Sequence, residues 1–157
     1  MDTRVYVETS VVSYYTARSS RDVIILAHQE LTREWWTLAI GRFALCVSQA
    51  VIEESERGDP DAASGRLAAI HGFAILPITD EVESLASIYQ RELDIPDICA
   101  ADALHLSVAS VHGTDYLVTW NCKHIANAEI RRHLAQINTE ENVSTPIICT
   151  PEELMGR

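Results

Sequence analysis

Four polar side chains stand where they could share one reaction centre: Glu8, Glu54, Asp102 and Asn121. Glu8 follows the strand-like segment Arg4–Val7, with Ser10 two residues on. Asn121 follows a second strand-like segment, Tyr116–Thr119, whose last residue, Thr119, adds a hydroxyl. Glu54 lies in QAVIEESERG, and Asp102 is set into the apolar run AADALHL. A carboxylate in such a run is expected to be partly buried, and a buried charge needs a partner. Two carboxylates ~5 Å apart repel by roughly 3 kcal/mol at an effective dielectric of 20. Three gathered acids therefore call for a cation or a proton. Glu8, Glu54 and Asp102 are the expected ligands of a hard divalent cation with oxygen donors, Mg²⁺ or Mn²⁺. Such an ion polarises a phosphodiester and acidifies water, which suits hydrolysis without a histidine base. Structural roles compete at each position. Glu8 could cap the next turn, as could Ser10. Glu54 could be a solvated helix acid between Glu53 and Glu56. Asp102 could be a helix-surface or capping residue, and Asn121 could brace a loop through backbone bonds. His105 is expected to pack in the core, outside the site. Trp35 and Trp36 read as core or interface residues.

These residues need a frame that brings strand ends together. Short apolar runs alternate with longer helical patterns, which predicts α/β architecture with a parallel sheet. Expected strands are Arg4–Val7, Phe43–Val47, Ala74–Pro77, Tyr116–Thr119 and Ile147–Cys149. None alternates cleanly, so both faces are expected to be covered. The pattern predicts a three-layer α/β/α sandwich with four to five parallel strands. In such sheets ligands collect beyond the carboxyl ends of the strands, which is where Glu8 and Asn121 fall.

Helical patterns fill the gaps. From Asp22 to Gly41, Ile24, Leu31, Trp35 and Leu38 recur at helical intervals. Gln49–Arg57 is closed by Gly58, and Asp59-Pro60 starts the next helix as N-cap and first residue. Asp80 to Glu83 has capping-box spacing and opens a helix to about Leu93. Pro96 stands near the start of the helix carrying Asp102. Asn127 to about Gln136 is a further helix, and Thr150 to Glu153 repeats the capping-box pattern.

The 157 residues suit a single domain, 1–157, and 47% of them are apolar, enough for a core. No apolar run nears the ~18 residues that span a bilayer, and the start lacks the basic and apolar segments of a secretory signal, so a cytoplasmic location is expected. Cys46, Cys99, Cys122 and Cys149 form no CxxC pair and read as free thiols. Cys122-Lys123-His124 comes nearest to a zinc motif but lacks a second ligand pair. Net charge is 12 − 23 = −11. That argues against broad electrostatic binding of duplex DNA and suits a metal-binding acidic cleft or a basic protein partner.

The segment VYVETSVVSYY resembles the opening strand and turn of the PIN-domain family, with Glu8 where the family has Asp and Ser10 at the following polar position. VSQAVIEESERGD resembles its second motif, a helix glutamate followed four residues on by glycine; Glu54 and Gly58 fit, with Glu53 as the alternative. DALHLSVASVHGTDYLVTWNCKHIAN resembles the third and fourth, with Asp102 as the third acid and Asn121 where the family has Asp or Asn. The resemblance spans nearly the whole chain and is nearest to the VapC-like toxins. It implies a metal-dependent endoribonuclease with RNA as substrate, an antitoxin as partner, and a homodimer. Glu for Asp at position 8 lengthens the arm by a methylene, and Asn at 121 removes a charge. Those two departures support an alternative, a PIN-fold binding module that cuts weakly or not at all. A phosphotransfer domain is a third reading, opposed by the glutamate where an aspartate nucleophile would stand.

Overall fold

The computed structural model describes residues 2–156. Segments rich in β-branched and aromatic residues form one all-parallel sheet: β1 (Arg4–Val7), β2 (Ala44–Ser48), β3 (Ala74–Leu76), β4 (Tyr116–Val118) and β5 (Ile147–Cys149). Their order is β3-β2-β1-β4-β5. The sheet is the five-stranded one expected. Observed β2 lies one residue later than the expected Phe43–Val47, while β3 and β4 end one residue early. Val5, Tyr6 and Val7 of central β1 are fully buried, so the strand has no polar face to alternate with.

Among the described residues, seven helices connect and cover the strands: α1 (Thr9–Thr16), α2 (Val23–Ile40), α3 (Gln49–Ser55), α4 (Pro60–Ile70), α5 (Asp80–Glu92), α6 (Ala100–Val111) and α7 (Ala128–Glu140). Two 3₁₀ turns, Asp97–Cys99 and Glu152–Leu154, complete the chain. From β1 the chain steps outward to β2 and β3, then returns to β4 beside β1 and steps out to β5. Parallel crossovers are right-handed, so a reversal of direction puts the connecting helices on opposite faces. Helices α1–α4 thus cover one face and α5–α7 the other. The order reverses between β1 and β4, whose register pairs Val7 with Val118. Glu8 and Thr119 therefore leave the sheet side by side at its carboxyl edge, the usual place for a ligand site.

Local signals set most helix ends. Asp22 caps α2 by accepting from the amides of Ile24 and Ile25. Asp59 caps α4, with Pro60 as its first residue, and Asn127 caps α7. Gly58, at φ +85°, follows α3 in a conformation that side chains resist. Two expectations fail. The α5 cap is Thr79, whose hydroxyl accepts from the Val82 amide at 3.3 Å; the acids from Asp80 instead enrich the first turn, where the helix dipole favours them. The α2 stripe is also rotated. Ile24 and Leu38 are exposed, and the buried face carries Gln29, Thr32, Trp35, Trp36 and Ala39. Trp36 takes the inward place because Tyr15 stacks on it at 4.1 Å. Among the described residues, no helix is long and apolar enough to cross a membrane.

Candidate functional site

Glu8 is 5% exposed and caps α1, a helix that the sequence reading took for a turn. One carboxylate oxygen, Oε2, accepts from the Ser10 amide at 3.0 Å. The other, Oε1, accepts from the hydroxyls of Ser10 and Thr119, both at 2.5 Å. The cap role and the site role, alternatives at the sequence level, are thus compatible in one side chain. Hydrogen bonds to charged groups contribute about 1.5–3 kcal/mol. Thr119→Val keeps the β-branched shape and deletes the donor to Glu8. It is expected to lower stability by about 1.5 kcal/mol, read from the urea midpoint at constant slope.

Glu54 projects from α3 and is half-buried, whereas Glu53 is exposed. That difference singles out Glu54 from the two helix acids. Its Oε1 accepts from the Thr9 hydroxyl at 2.7 Å and lies 2.5 Å from Nε2 of His105. His105 is fully buried on α6, and its Nδ1 meets the Tyr6 hydroxyl at 2.7 Å. Tyr6 in turn meets Ser48 at 2.8 Å. A continuous polar chain, Ser48–Tyr6–His105–Glu54–Thr9, therefore runs from the sheet to the site. Ligand atoms of Glu8, Glu54 and His105 all lie within 4.8 Å of one another. The expectation that His105 packs in the core holds for its burial. The same histidine also lies within ligand distance of Glu8 and Glu54.

Electrostatics follow from that geometry. Burial opposes the charged His105 ring, but the Glu54 hydrogen bond and the charges of Glu8, Glu54 and Asp102 outweigh it and raise its pKa. Burial likewise opposes the Glu54 carboxylate, but the His105 hydrogen bond and charge, with Thr9 and Arg57, hold its pKa below the ordinary value. Burial pushes the Tyr6 phenol well above 10.0, so Tyr6 stays neutral. A raised His105 contributes stability that is complete below its unfolded value of 6.5 and is lost as pH rises through the folded value. A lowered Glu54 contributes stability that is complete above its unfolded value of 4.5 and is lost as pH falls through the folded value. The pair contributes most between pH 4.5 and 6.5. Urea midpoints of the metal-free chain are expected to peak there and decline on both sides.

Asp102 is half-buried in the first turn of α6, three residues before His105 and so on the same helical face. Its Oδ2 lies 2.9 Å from Nδ1 of His124, and with Cys99 these two form a second group whose ligand atoms lie within 4.8 Å of one another. The structure thus brings Glu8 and Glu54 directly together and places Asp102 in a neighbouring group, linked to the first through its field on His105. Asn121 stands beyond β4. Its Oδ1 accepts from the amides of Lys123 and His124 at 3.3 and 3.1 Å, and its own amide donates to Thr119 at 2.9 Å. Its side-chain oxygen therefore shapes the loop that presents His124.

No family model matches the sequence, and no curated protein matches it. Solved structures do. The structure of VapBC2 from Rickettsia felis, bound to a DNA fragment from their promoter, superimposes with a TM-score of 0.59 at 14% identity, over 94% of this chain and 98% of that one. VapC20 of Mycobacterium tuberculosis, a sarcin-ricin-loop-cleaving toxin, does so with a TM-score of 0.59 at 15% identity, over 76% of this chain and 91% of that one. The fold is PIN-like. The expected sandwich is thereby borne out, and the PIN-like sheet edge of this chain carries Glu8 and Thr119, with α3 and α6 supplying Glu54 and Asp102.

Proposed function

We propose that this chain is a metal-dependent endoribonuclease, the toxin of a toxin–antitoxin pair, with Glu8, Glu54 and Asp102 as metal ligands and Asn121 as the fourth polar group. One observation carries the reading: Glu8 and Glu54 are held within ligand distance at the sheet's topological switch point, with Asp102 one helical turn from the histidine that contacts Glu54. Of the similar solved structures, one is a VapBC2 complex and another is VapC20, a sarcin-ricin-loop-cleaving toxin, which supports this reading.

The donor set fits a hard divalent ion. Among the described residues, no protein hydrogen bond reaches Glu54 Oε2 or Asp102 Oδ1, which leaves oxygen lone pairs for Mg²⁺ or Mn²⁺. When bound, such an ion polarises a phosphodiester oxygen and acidifies a water. The chain's own groups prepare the site. Ser10 and Thr119 fix Glu8, while Thr9 and His105 fix Glu54. Asn121 braces the loop beyond β4 and keeps its side-chain amide as a donor for a phosphate oxygen. An open groove of about 510 Å³ runs along Glu54, and the Arg57 guanidinium in its lining offers donors to an RNA backbone.

The net charge of −11 favours an antitoxin with a basic, Arg-bearing segment in the acidic cleft. Apolar surface left exposed on α2 by Ile24, Ile25, Leu38 and Ile40 supports the homodimer.

Purified chain, incubated with a generic single-stranded RNA and Mn²⁺, is expected to give discrete internal cuts that EDTA abolishes. A second reading, a binding module that does not cut, draws on His105, whose raised pKa lets an imidazolium neutralise the carboxylates in place of a metal. That reading requires neither Mn²⁺ binding nor cleavage, and either one removes it.

A further inference from the structure

Of the Cys122-Lys123-His124 triplet, Cys122 is exposed to solvent, while His124 is half-buried and meets Cys99 and Asp102. The fold thus supplies the second set of ligands that the sequence lacks. We propose that Cys99, Asp102 and His124 form a binding site for a thiophilic divalent cation of the zinc class, and that filling it withdraws Asp102 from the RNA-cutting centre. The second half rests on the nuclease reading of Asp102; the first half does not.

Three elements make the group. Cys99 ends the 3₁₀ turn Asp97–Cys99 and is the residue before α6. Asp102 follows three positions later in the first turn of α6. His124 comes from the loop after β4, whose shape Asn121 fixes through the Lys123 and His124 amides. Each is half-buried, so the group is reachable from solvent and still supported on one side. Tetrahedral zinc with bonds of about 2.0–2.3 Å separates its ligand atoms by roughly 3.3–3.6 Å. Asp102 Oδ2 and His124 Nδ1 are already 2.9 Å apart, and no ligand atom lies more than 4.8 Å from another. Side-chain movements of about 1 Å close the remaining gap. Three protein ligands leave the fourth position to water.

The same residues could be read as a nucleophilic relay, in which a carboxylate orients one imidazole nitrogen and a thiol faces the other. That arrangement keeps thiol and carboxylate on opposite sides of the ring. Here the three atoms close into a triangle, the arrangement of ligands around one ion.

Ligand chemistry separates this site from the carboxylate centre. A thiolate and an imidazole select zinc-class ions over Mg²⁺ or Mn²⁺, whereas carboxylates take either. Binding releases the Cys99 thiol proton to solvent. Asp102 is the ligand common to both sets, so a zinc-class ion and a catalytic Mg²⁺ or Mn²⁺ compete for its carboxylate.

The test uses the purified chain with Zn²⁺ in competition with a chromogenic chelator, and Co²⁺ as a spectroscopic stand-in. Wild type is expected to take up one equivalent and to show a thiolate-to-cobalt charge-transfer band. Cys99→Ser should lose the band and bind Zn²⁺ at least about tenfold more weakly, the lower end for disturbed metal sites. Cys122→Ser should change neither. Should Cys99→Ser fail to fold, alkylation of the wild-type chain followed by mass spectrometry serves instead: Zn²⁺ should protect Cys99 and leave Cys122 reactive. A wild type without the band, a band that survives Cys99→Ser, or no protection of Cys99 overturns the site. Each protein's Mn²⁺-dependent cleavage is then compared with its own zinc-free rate. One equivalent of Zn²⁺ should lower it at least about tenfold in wild type and less than about twofold in Cys99→Ser. Zinc bound at Cys99 with cleavage unchanged overturns the competition. If no condition gives cleavage, the nuclease reading fails, and the site stands or falls on the cobalt band and the protection of Cys99.

Discussion

Asp102→Asn is expected to lower Mn²⁺-dependent RNA cleavage by at least about ten- to a hundredfold, the range seen when partners of a metal site are altered, while the metal-free fold stays within about 1 kcal/mol of wild type. The replacement keeps shape and helix. An Asn side-chain oxygen still accepts from Nδ1 of His124, the contact Asp102 makes at 2.9 Å. What disappears is one negative charge near Glu8, Glu54 and His105. For the fold, two small effects oppose each other: the first turn of α6 loses an acid favoured by the helix dipole, worth about 0.3–1 kcal/mol, and the cluster loses like-charge repulsion. For the reaction there is no such compensation, because a neutral amide is a far poorer ligand for a hard cation. A packing or capping role predicts the reverse order, with stability falling and cleavage intact. Urea midpoints of the metal-free proteins, measured beside cleavage rates, separate the two. A variant that cuts like wild type would take Asp102 out of the nuclease reading.

The sheet was legible because buried parallel strands advertise themselves as short β-branched runs, and β1 and β5 were read to the residue. Helix starts were legible at Asp22, Asp59 and Asn127, whose side chains accept from first-turn amides, but not at Thr79, where the acids that follow masked the cap. The α2 face was misread because its apolar content exceeds what the core takes: Val23, Ile24, Ile25, Leu38 and Ile40 all lie outside. Helical spacing cannot tell a core stripe from a second apolar face. Helix α1 was missed for a related reason. TSVVSYYT is rich in β-branched and aromatic residues, which favour strands locally, and only packing against α2, α3 and α4 makes it helical.

In the candidate site, Asp102 stood out in sequence because an acid in an apolar run is conspicuous. Histidine at the same depth is not, since a neutral imidazole needs no charge partner. The available signal for His105 was its position three residues after Asp102, on the same helical face. Tyr6 gave none: a tyrosine in a buried strand reads as apolar, and its hydroxyl matters only through Ser48 and His105. Cys99 and His124 lie 25 residues apart in the chain, so only the fold shows that they meet.

His105→Leu should then cost about 3 kcal/mol of stability at pH 6, the lower end for removing one partner of a buried pair. Leucine fills most of the volume and suits a helix, so cavity formation contributes little. The loss is polar. Glu54 keeps Thr9 but loses the 2.5 Å contact to the ring. Tyr6 keeps Ser48 but loses its second partner inside the core. Because Glu54 is only partly buried and water can solvate its free oxygen, the lower end of the range applies. The pH profile provides the decisive readout. In wild type, the raised His105 pKa makes the chain more stable at about pH 5.5 than above the folded value. In His105→Leu that difference should vanish, and Glu54, freed from the imidazolium while its burial remains, should titrate higher than in wild type. His105→Gln should recover part of the stability, since its amide can donate to Glu54, but none of the pH dependence. Urea unfolding of the three proteins across pH 5 to 9 tests this. If the leucine variant matched wild type at about pH 6, His105 would be a spacer, and the polar chain from Ser48 to Thr9 would not be what holds Glu54 in place.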